Sequence, residues 1–421
     1  NQSTLHLPVF PSKSFTHFPI NPYIHRVKKV LPLLILLTLL QFTNVVDFMI
    51  VMPLSPHLID IFHIDSASFN WIVASYGISS AVSGFVSALF LDRFNRKTAL
   101  LVTYTGFIAG TFFCAFAWNF ESMIIARIFT GLFGGIIGAQ SMTIIADLVP
   151  FEKRATAMGI FMSAFAVGSI IGVPAGLFIA NLWDWHMPFI CIAVLSVPIL
   201  VLCWFLIPDL KSHLKPGEKN KLMDVFDGIR KSRNQQFAIL SMFILMLGHF
   251  MVVPQVANYM QKNVGFSNED ILWIYIVGGI TAFISSPLVG KLADKKGKAK
   301  IFFIFTFLTF IPVTLITHLR PIPLWEVLVV TSIFFAFSSG RFSPLQAIIS
   351  ETVEPQYRGG FMSIVSSIQS LGLGLGSLVT SFIIYDSARG EIVNFNIAGY
   401  VCMAITVFAM LSVSMIKLPK K

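Results

Sequence analysis

Ala88-Leu89-Phe90-Leu91-Asp92-Arg93-Phe94-Asn95-Arg96-Lys97 closes one long apolar run, and Gly290-Lys291-Leu292-Ala293-Asp294-Lys295-Lys296-Gly297-Lys298 closes another. Asp294 lies 202 residues after Asp92, close to half of the 421-residue chain. Each copy reads as a short basic turn between two apolar stretches. A hydrophobic chain that repeats its polar turns at half its length is built from two repeats, and membrane transporters bind at the interface of such repeats.

The composition belongs to lipid. Hydrophobic residues make up 55% of the chain, charged residues only 12%, and mean hydropathy is +0.78; a soluble domain carries roughly 25% charged residues. The apolar runs are about 20 residues long, enough for a helix to cross a hydrocarbon core of about 30 Å. They show no period-2 alternation, so helices rather than a barrel satisfy the backbone. The runs predict an all-α membrane protein with about twelve spans: 31–54, 67–90, 98–118, 122–147, 155–181 and 187–207, then 237–261, 270–290, 299–318, 324–349, 360–384 and 394–416. The domains follow as an N-terminal segment 1–30, a six-helix bundle 31–207, a linker 208–236, a second bundle 237–416 and a tail 417–421. Residues 1–30 lack the layout of a secretory signal. Within the linker, 222–230 mixes apolar and charged residues as a short membrane-surface helix would.

Charge sets the expected orientation. With both termini on one side, that side holds Arg26, Lys28, Lys29, Arg93, Arg96, Lys97, Lys153, Arg154, the cluster 211–233, Lys291–Lys300, Arg358 and the tail, while the other holds Lys262, Arg320 and Arg389. The asymmetry predicts cytoplasmic termini, so the formal charge of +10 reflects topology and not nucleic-acid binding. The cysteines (Cys114, Cys191, Cys203, Cys402) fall inside spans at unrelated spacings, as packing residues do. Neither a metal site nor a cofactor is expected.

Further echoes support duplication. Asp47-Phe48-Met49-Ile50-Val51-Met52-Pro53 aligns with Gly248-His249-Phe250-Met251-Val252-Val253-Pro254. Asp147, Arg154, Met158, Gly168 and Gly172 align with Glu351, Arg358, Met362, Gly372 and Gly376, each 204 residues later.

Six plus six spans, a long middle loop and these turns resemble the major facilitator superfamily over nearly the whole chain. The family's turn between spans 2 and 3 reads Gly-x-Leu-Ala-Asp-Arg-x-Gly-Arg-Lys. It stands here as Ala88, Phe90, Leu91, Asp92, Arg93, Asn95, Arg96 and Lys97, with Asn95, which tolerates a left-handed backbone, at the second glycine. The resemblance implies that Asp92, Arg93 and Arg96, with Arg154 and the second copy's Asp294, latch the halves on the cytoplasmic side. The plainer alternative is ordinary positive-inside charge. In span 5, Gly168, Gly172, Pro174 and Gly176 resemble the family's antiporter motif, with the proline displaced by one position and the final glycine pair reduced to Gly176. Small residues at this spacing also serve generic close packing.

Ionisable groups deep in a membrane are functional by default. Asp47 (span 1), Arg127 (span 4), His249 (span 7) and Arg341 (span 10) stand out, and the resemblance implies that these four spans line a central cavity. At a rise of about 1.5 Å per residue, Asp47 and Arg127 sit at equal depth, roughly 10 Å inside the extracellular surface. They are expected to pair, as a proton-coupling set or as a permanent structural bridge; Arg127 also fits the family's Arg-x-x-x-Gly pattern with Gly131. His249 suits protonation during transport or simple packing. Arg341 either recognises an anionic group on a substrate or snorkels to the surface. Gln41, Asn44, Gln140, Gln255, Asn258 and Gln346 share these spans and are expected, with His249 and Arg341, to face the cavity.

Taken together, the expected function is proton-coupled efflux of small amphipathic molecules by alternating access, resembling the twelve-helix drug:proton antiporters, in a plasma membrane of the bacterial inner-membrane kind. The expected partners are a small-molecule substrate, protons and lipid, with a monomer as the default. The alternative is proton-coupled symport or uniport of an anionic metabolite. A membrane-embedded enzyme or receptor is disfavoured, because no Ser-His pair, paired acids or His-Glu-x-x-His set occurs, and the nucleotide-binding loop of an ATP-driven pump is missing too.

Overall fold

The computed structural model describes residues 22–90, 94–149, 154–209, 221–354 and 357–417. Long helices dominate it. In chain order the spans are Pro22–Ile50 (span 1), Ser66–Phe90 (2), Arg96–Ala115 (3), Phe120–Leu148 (4), Arg154–Leu182 (5), His186–Leu206 (6), Arg233–Val264 (7), Asn268–Lys296 (8), Lys298–Thr317 (9), Leu324–Glu351 (10), Arg358–Ser381 (11) and Phe395–Ser414 (12). Eleven are long and apolar enough to cross a membrane. The remaining one, span 2, is 25 residues long and carries seven serines. Those hydroxyls satisfy themselves inside the helix: Ser75, Ser79, Ser83 and Ser87 each donate to the carbonyl three residues earlier.

The same pairs of spans pack in both halves. Span 2 packs on 4, 3 on 4, 3 on 6, 1 on 5 and 1 on 6; correspondingly 8 packs on 10, 9 on 10, 9 on 12, 7 on 11 and 7 on 12. The halves meet along span 2 against 11 and span 5 against 8. Gly77 permits the first contact: a Cβ there would lie 2.7 Å from the Cα of Gly374 across the seam.

Prolines punctuate the spans where they remove a backbone donor. Span 1 ends at Ile50, earlier than the expected 54, and after Pro53 the chain re-enters a short helix, Ser55–Phe62, with Pro56 in its first turn. Span 7 carries the aligned Pro254. There the chain bends through a 3-10 turn, Val253–Gln255, and continues helically to Val264, stopping at Gly265 with φ +88°. This extension matters below. Span 5 widens into a π-helical turn, Gly168–Gly172, just before Pro174.

Alternating span directions put the start of span 1 and the end of span 12 at one end of the bundle, called here the terminal end; Asn234 Nδ2 at the start of span 7 donates to the carbonyl of Lys417 there, 2.9 Å. Trp71, Trp118, Trp183, Trp273 and Trp325 are exposed near the opposite, far end, as an aromatic belt at a membrane interface requires. The linker helix, Lys221–Lys231, does form. Its Val225 is buried in the core and it packs on spans 7 and 11, while Gln236 Nε2 donates to the carbonyls of Ile229 and Arg230 at its C-terminal end. It is therefore docked on the second half.

Candidate functional site

Asp47 and Arg127 meet as their depths require. Arg127 Nη1 donates to Asp47 Oδ2 at 2.9 Å, and Thr111 Oγ1 of span 3 donates to Asp47 Oδ1 at 3.0 Å. The side chains are 0% and 1% exposed. The guanidinium carbon stands 4.4 Å from the ring centroid of Tyr76, a cation–π contact. Tyr76 in turn donates its hydroxyl to Asn44 Oδ1 at 2.8 Å, and Asn44 Nδ2 donates to the carbonyl of Gly134 at 3.1 Å. Tyr76 and Asn44 line the central cavity, whereas Asp47 and Arg127 do not. The ion pair thus lies behind a tyrosine–asparagine screen. Gly131 lets the screen close, because a Cβ there would meet the Tyr76 carbonyl at 2.6 Å.

The span 5 motif seats against span 1 on either side of Asp47. Added Cβ atoms at Gly168, Gly172 and Gly176 would meet Val45 at 3.0 Å, Val46 at 2.2 Å and Ile50 at 2.6 Å. Pro174 is buried directly after the π-helical turn. The wall that backs the carboxylate is consequently built on the helix whose hydrogen-bond ladder is interrupted.

The second half holds a different arrangement. Arg341 is 2% exposed and directs Nη2 to His249 Nδ1 at 3.3 Å. An arginine can only donate, so Nδ1 accepts and the imidazole proton sits on Nε2. His249 is half-buried in the cavity wall, edge-on to Phe250 and Phe342 and stacked over Phe334. Among the described residues no carboxylate lies within ion-pair distance of Arg341, and its Nε is buried without a hydrogen bond.

The cavity between the halves measures about 550 Å³. Its polar lining comes from Gln41, Asn44, His249, Gln346 and Gln369 and from serines on both sides, among them Ser80, Ser169, Ser338 and Ser370; Phe48, Phe165, Phe283 and Phe335 supply aromatic walls. Three amides expected here lie elsewhere. Gln140 faces span 3 and accepts from Thr103 Oγ1 at 2.9 Å. Gln255 and Asn258 sit on the extension of span 7 and are fully buried in a seam between the halves. Pro254 is the reason: the bend it introduces re-aims the following turns from the cavity to Ser66 at the start of span 2.

That seam closes the far end. Gln255 Nε2 donates to the Ser66 carbonyl at 2.8 Å, Asn258 Nδ2 to Ser66 Oγ at 2.7 Å, and Lys262 Nζ to Ser66 Oγ at 3.1 Å and Asp386 Oδ2 at 2.7 Å. Asp386 also accepts from the Ser66 backbone at 3.0 Å. It is presented by a small hairpin, Tyr385–Asp386 paired with Ile392–Val393, which Asn263 fastens to span 7 through both its side-chain atoms. Asn268 Nδ2 of span 8 meets His57 Nε2 at 3.3 Å, and Asn181 Nδ2 donates to the Asn268 carbonyl at 3.2 Å.

At the terminal end, Asp92 and Arg93 lie outside the described residues, as does the side chain of Arg154, so the latch falls largely outside what is described. Arg96 Nε pairs with Asp147 at 2.9 Å inside its own half. The aligned residues repeat the arrangement, with Lys298 on Glu351. Asp294 is exposed and without an ion pair among the described residues. Sequence reading missed Thr111, Tyr76, Ser66 and Asp386. Lys262 did carry a signal, as one of few basic residues on its side of the membrane.

The comparisons agree with this architecture. The Major Facilitator Superfamily matches the chain twice, over residues 37–241 and again over 238–421, once per half. The chain is 23% identical over 353 residues to the uncharacterized MFS-type transporter YceJ of Bacillus subtilis (strain 168), spanning 82% of this chain and 86% of the relative. It is 24% identical to the multidrug resistance protein MdtG of Proteus mirabilis (strain HI4320), covering 80% and 85%, and 24% identical to a probable sugar efflux transporter of Helicobacter pylori (strain G27), covering 79% and 83%. Among solved structures, a D-xylose-proton symporter superposes with a TM-score of 0.75 at 17% identity, over 94% of this chain and 98% of that one. With two family matches, twelve long helices and a polar cavity between two similarly packed halves, the chain belongs to the major facilitator superfamily, an integral membrane transporter and not an enzyme.

Proposed function

We propose that the protein exports small amphipathic organic molecules by alternating access, in exchange for protons. The observation that carries this reading is the Asp47–Arg127 pair, sealed behind Tyr76 and Asn44. This deep carboxyl group accepts from one guanidinium and one hydroxyl. Protonating it removes the charge that holds Arg127 and frees the guanidinium to pull on Tyr76. Tyr76 is part of the cavity wall, so proton binding and the shape of the substrate site are mechanically linked. The names of relatives, a multidrug resistance protein and a sugar efflux transporter, support export.

The terminal end is assigned to the cytoplasm, on the distribution of basic residues. The bonded seam at Ser66 then closes the extracellular side, and cavity walls that run on to Gln346 and Ser366 belong to an inward-facing state. The halves would rock about spans 2, 5, 8 and 11 to break the seam. A second reading, proton-coupled uptake, is favoured by the uncompensated Arg341 and is separated by the direction of flux. Purified protein in liposomes, tested with a panel of amphipathic dyes under an imposed pH gradient, should move dye against the proton flux. Dye and protons moving together would replace export by symport, and dye movement indifferent to the gradient in both wild type and Asp47→Asn would remove proton coupling.

A further inference from the structure

Arg341 is the one deep charge that the export reading leaves unexplained. It is buried, its Nε has no hydrogen bond, and its one recorded partner is a neutral imidazole. The nearest aromatic face, Phe342, stands 5.7 Å from the guanidinium carbon, a weak contact. A buried cation without a counter-charge is costly, and the fold contains an obvious way to avoid it: the first half gives its own arginine a carboxylate at 2.9 Å. The second half does not. Arg341 touches His249, a cavity-wall residue, and the flanking turns of span 10, Ser338, Ser339, Phe342 and Ser343, are themselves cavity wall. Among the described residues no acidic side chain lines the cavity. The Asp47–Arg127 pair is neutral as a unit, so the site carries one uncompensated positive charge.

We infer that the transported molecule is an amphipathic organic anion, whose acidic group is received by Arg341 and by the Nε2–H of His249. Arg341 fixes the tautomer by donating to Nδ1, which leaves Nε2–H, the ring nitrogen without a protein hydrogen bond, as the donor toward the cavity. Rotation of the imidazole then exposes Nη2 to the ligand's second oxygen, for a charge-assisted hydrogen bond. The aromatic walls take the apolar body and the serines any further hydroxyls. The inference rests on the export reading and adds the sign of the substrate. It has an electrical consequence. One monoanion leaving while one proton enters moves two positive charges inward, whereas a monovalent cation exchanged for one proton moves none.

The test uses three dyes of similar apolar size: the anion 8-anilinonaphthalene-1-sulfonate, the cation ethidium and the neutral N-phenyl-1-naphthylamine. Equilibrium binding to the purified full chain in detergent needs no gradient, so its outcome is independent of proton coupling. The anion should bind at least 10-fold tighter than ethidium. Arg341→Gln should lose most of that preference, with binding of the neutral dye changed less than 2-fold, and Arg341→Lys should keep part of it. Arg341→Gln is expected to fold, since it removes an unpaired charge; binding of the neutral dye by the variant verifies the cavity. In liposomes, a potassium-diffusion potential, negative inside the compartment that dye leaves, should accelerate the anion and leave ethidium unchanged. Equal binding of anion and cation, binding of none of the three, or an anion preference that survives Arg341→Gln would overturn the inference.

Discussion

Two arginines are buried in corresponding spans of the two halves, and their surroundings are opposite. Arg127 in span 4 has one hydroxyl-braced carboxylate and a tyrosine face; Arg341 in span 10 has an imidazole nitrogen and a distant phenyl ring. They are also at different depths. The residue 204 positions after Arg127 is Thr331, whose hydroxyl bonds back to Val327 in its own helix. Arg341 stands ten positions further along, about 15 Å by helical rise. Duplication supplied the scaffold, with the same helix pairs packing in each half and matching Arg96–Asp147 and Lys298–Glu351 bridges. The surroundings then diverged: one half keeps a self-neutralised pair behind a screen, the other keeps a buried arginine against a cavity-wall histidine. In the proposed reading, the proton site and the substrate site are therefore built on different halves.

The largest effect that bears on this division is expected at Asp47. Asp47→Asn keeps the shape and the Thr111 contact and removes the proton-binding group. Gradient-driven dye accumulation in liposomes should fall at least about 100-fold, with equilibrium dye binding largely kept, a loss of coupling worth about 2.7 kcal/mol. Wild-type accumulation by the variant would make the pair structural.

Stability should separate the two arginines next. Breaking a buried pair by removing one partner costs about 3–5 kcal/mol, so Arg127→Gln, which strands Asp47, should lower the thermal midpoint in detergent sharply. Pairing it with Asp47→Asn should recover most of the loss without recovering transport, the non-additivity of two groups in contact. Arg341→Gln should leave the midpoint unchanged or raise it. If Arg341→Gln destabilises as much as Arg127→Gln, Arg341 has a structural partner and the contrast between the halves collapses.

Much of this was legible in the sequence, for identifiable reasons. Apolar run length located the spans, with most bounds within a few residues and the start of span 1 (22 against 31) and the end of span 8 (296 against 290) further off, because a membrane leaves helices few alternatives. The Asp47–Arg127 pair followed from counting depth along two helices. Counting failed at Gln255 and Asn258, because a count assumes an unbroken helix and Pro254 breaks this one; two polar residues on a cavity span became the bolts of an interface. The His249–Arg341 contact was hidden for another reason. Each residue was visible alone, but the side-chain direction that joins span 7 to span 10 is not a property of either run. Thr111 and Ser66 carried no signal, since one hydroxyl among many in apolar helices cannot be ranked by sequence.

A smaller effect is expected at the seam. Lys262→Ala removes the bond to Ser66, which crosses from half to half, and the bond within the second half that steadies Asp386 as it accepts from the Ser66 backbone; the contacts to Ser66 exist only while the far end is closed. The population should move several-fold toward the state open at that end, read as faster maleimide labelling of a cysteine introduced at Ala67, which packs on the second half's core beside the seam. Equal labelling rates would mean that the spans 2 and 11 contact alone, through Gly77 and Gly374, holds the closure.

The smallest expected effect is a pH dependence of the same closure, through His57. This residue lies outside the spans, in the short helix Ser55–Phe62, and its Nε2 meets the Asn268 side-chain amide across the seam at 3.3 Å. The amide donates, so the imidazole must be neutral. Burial holds its pKa below the ordinary histidine value, while the nearby carboxylates of Asp60 and Asp184 pull the other way. The sign follows. A histidine whose pKa is depressed in the closed seam binds protons more readily once the seam opens and water reaches it. Closure is therefore fully supported above the open-state value, about 6.5, and weakens as pH falls below it toward the closed-state value. Labelling at the far end should rise on acidification over that window, by two- to three-fold, and His57→Gln, which keeps an acceptor for Asn268 without a titrating proton, should flatten the rise while leaving labelling above the window unchanged. In a membrane whose outer face is the acidic one, this dependence would open the seam on the side from which protons enter. Acid-induced labelling that persists in His57→Gln would show that His57 is not the group that titrates.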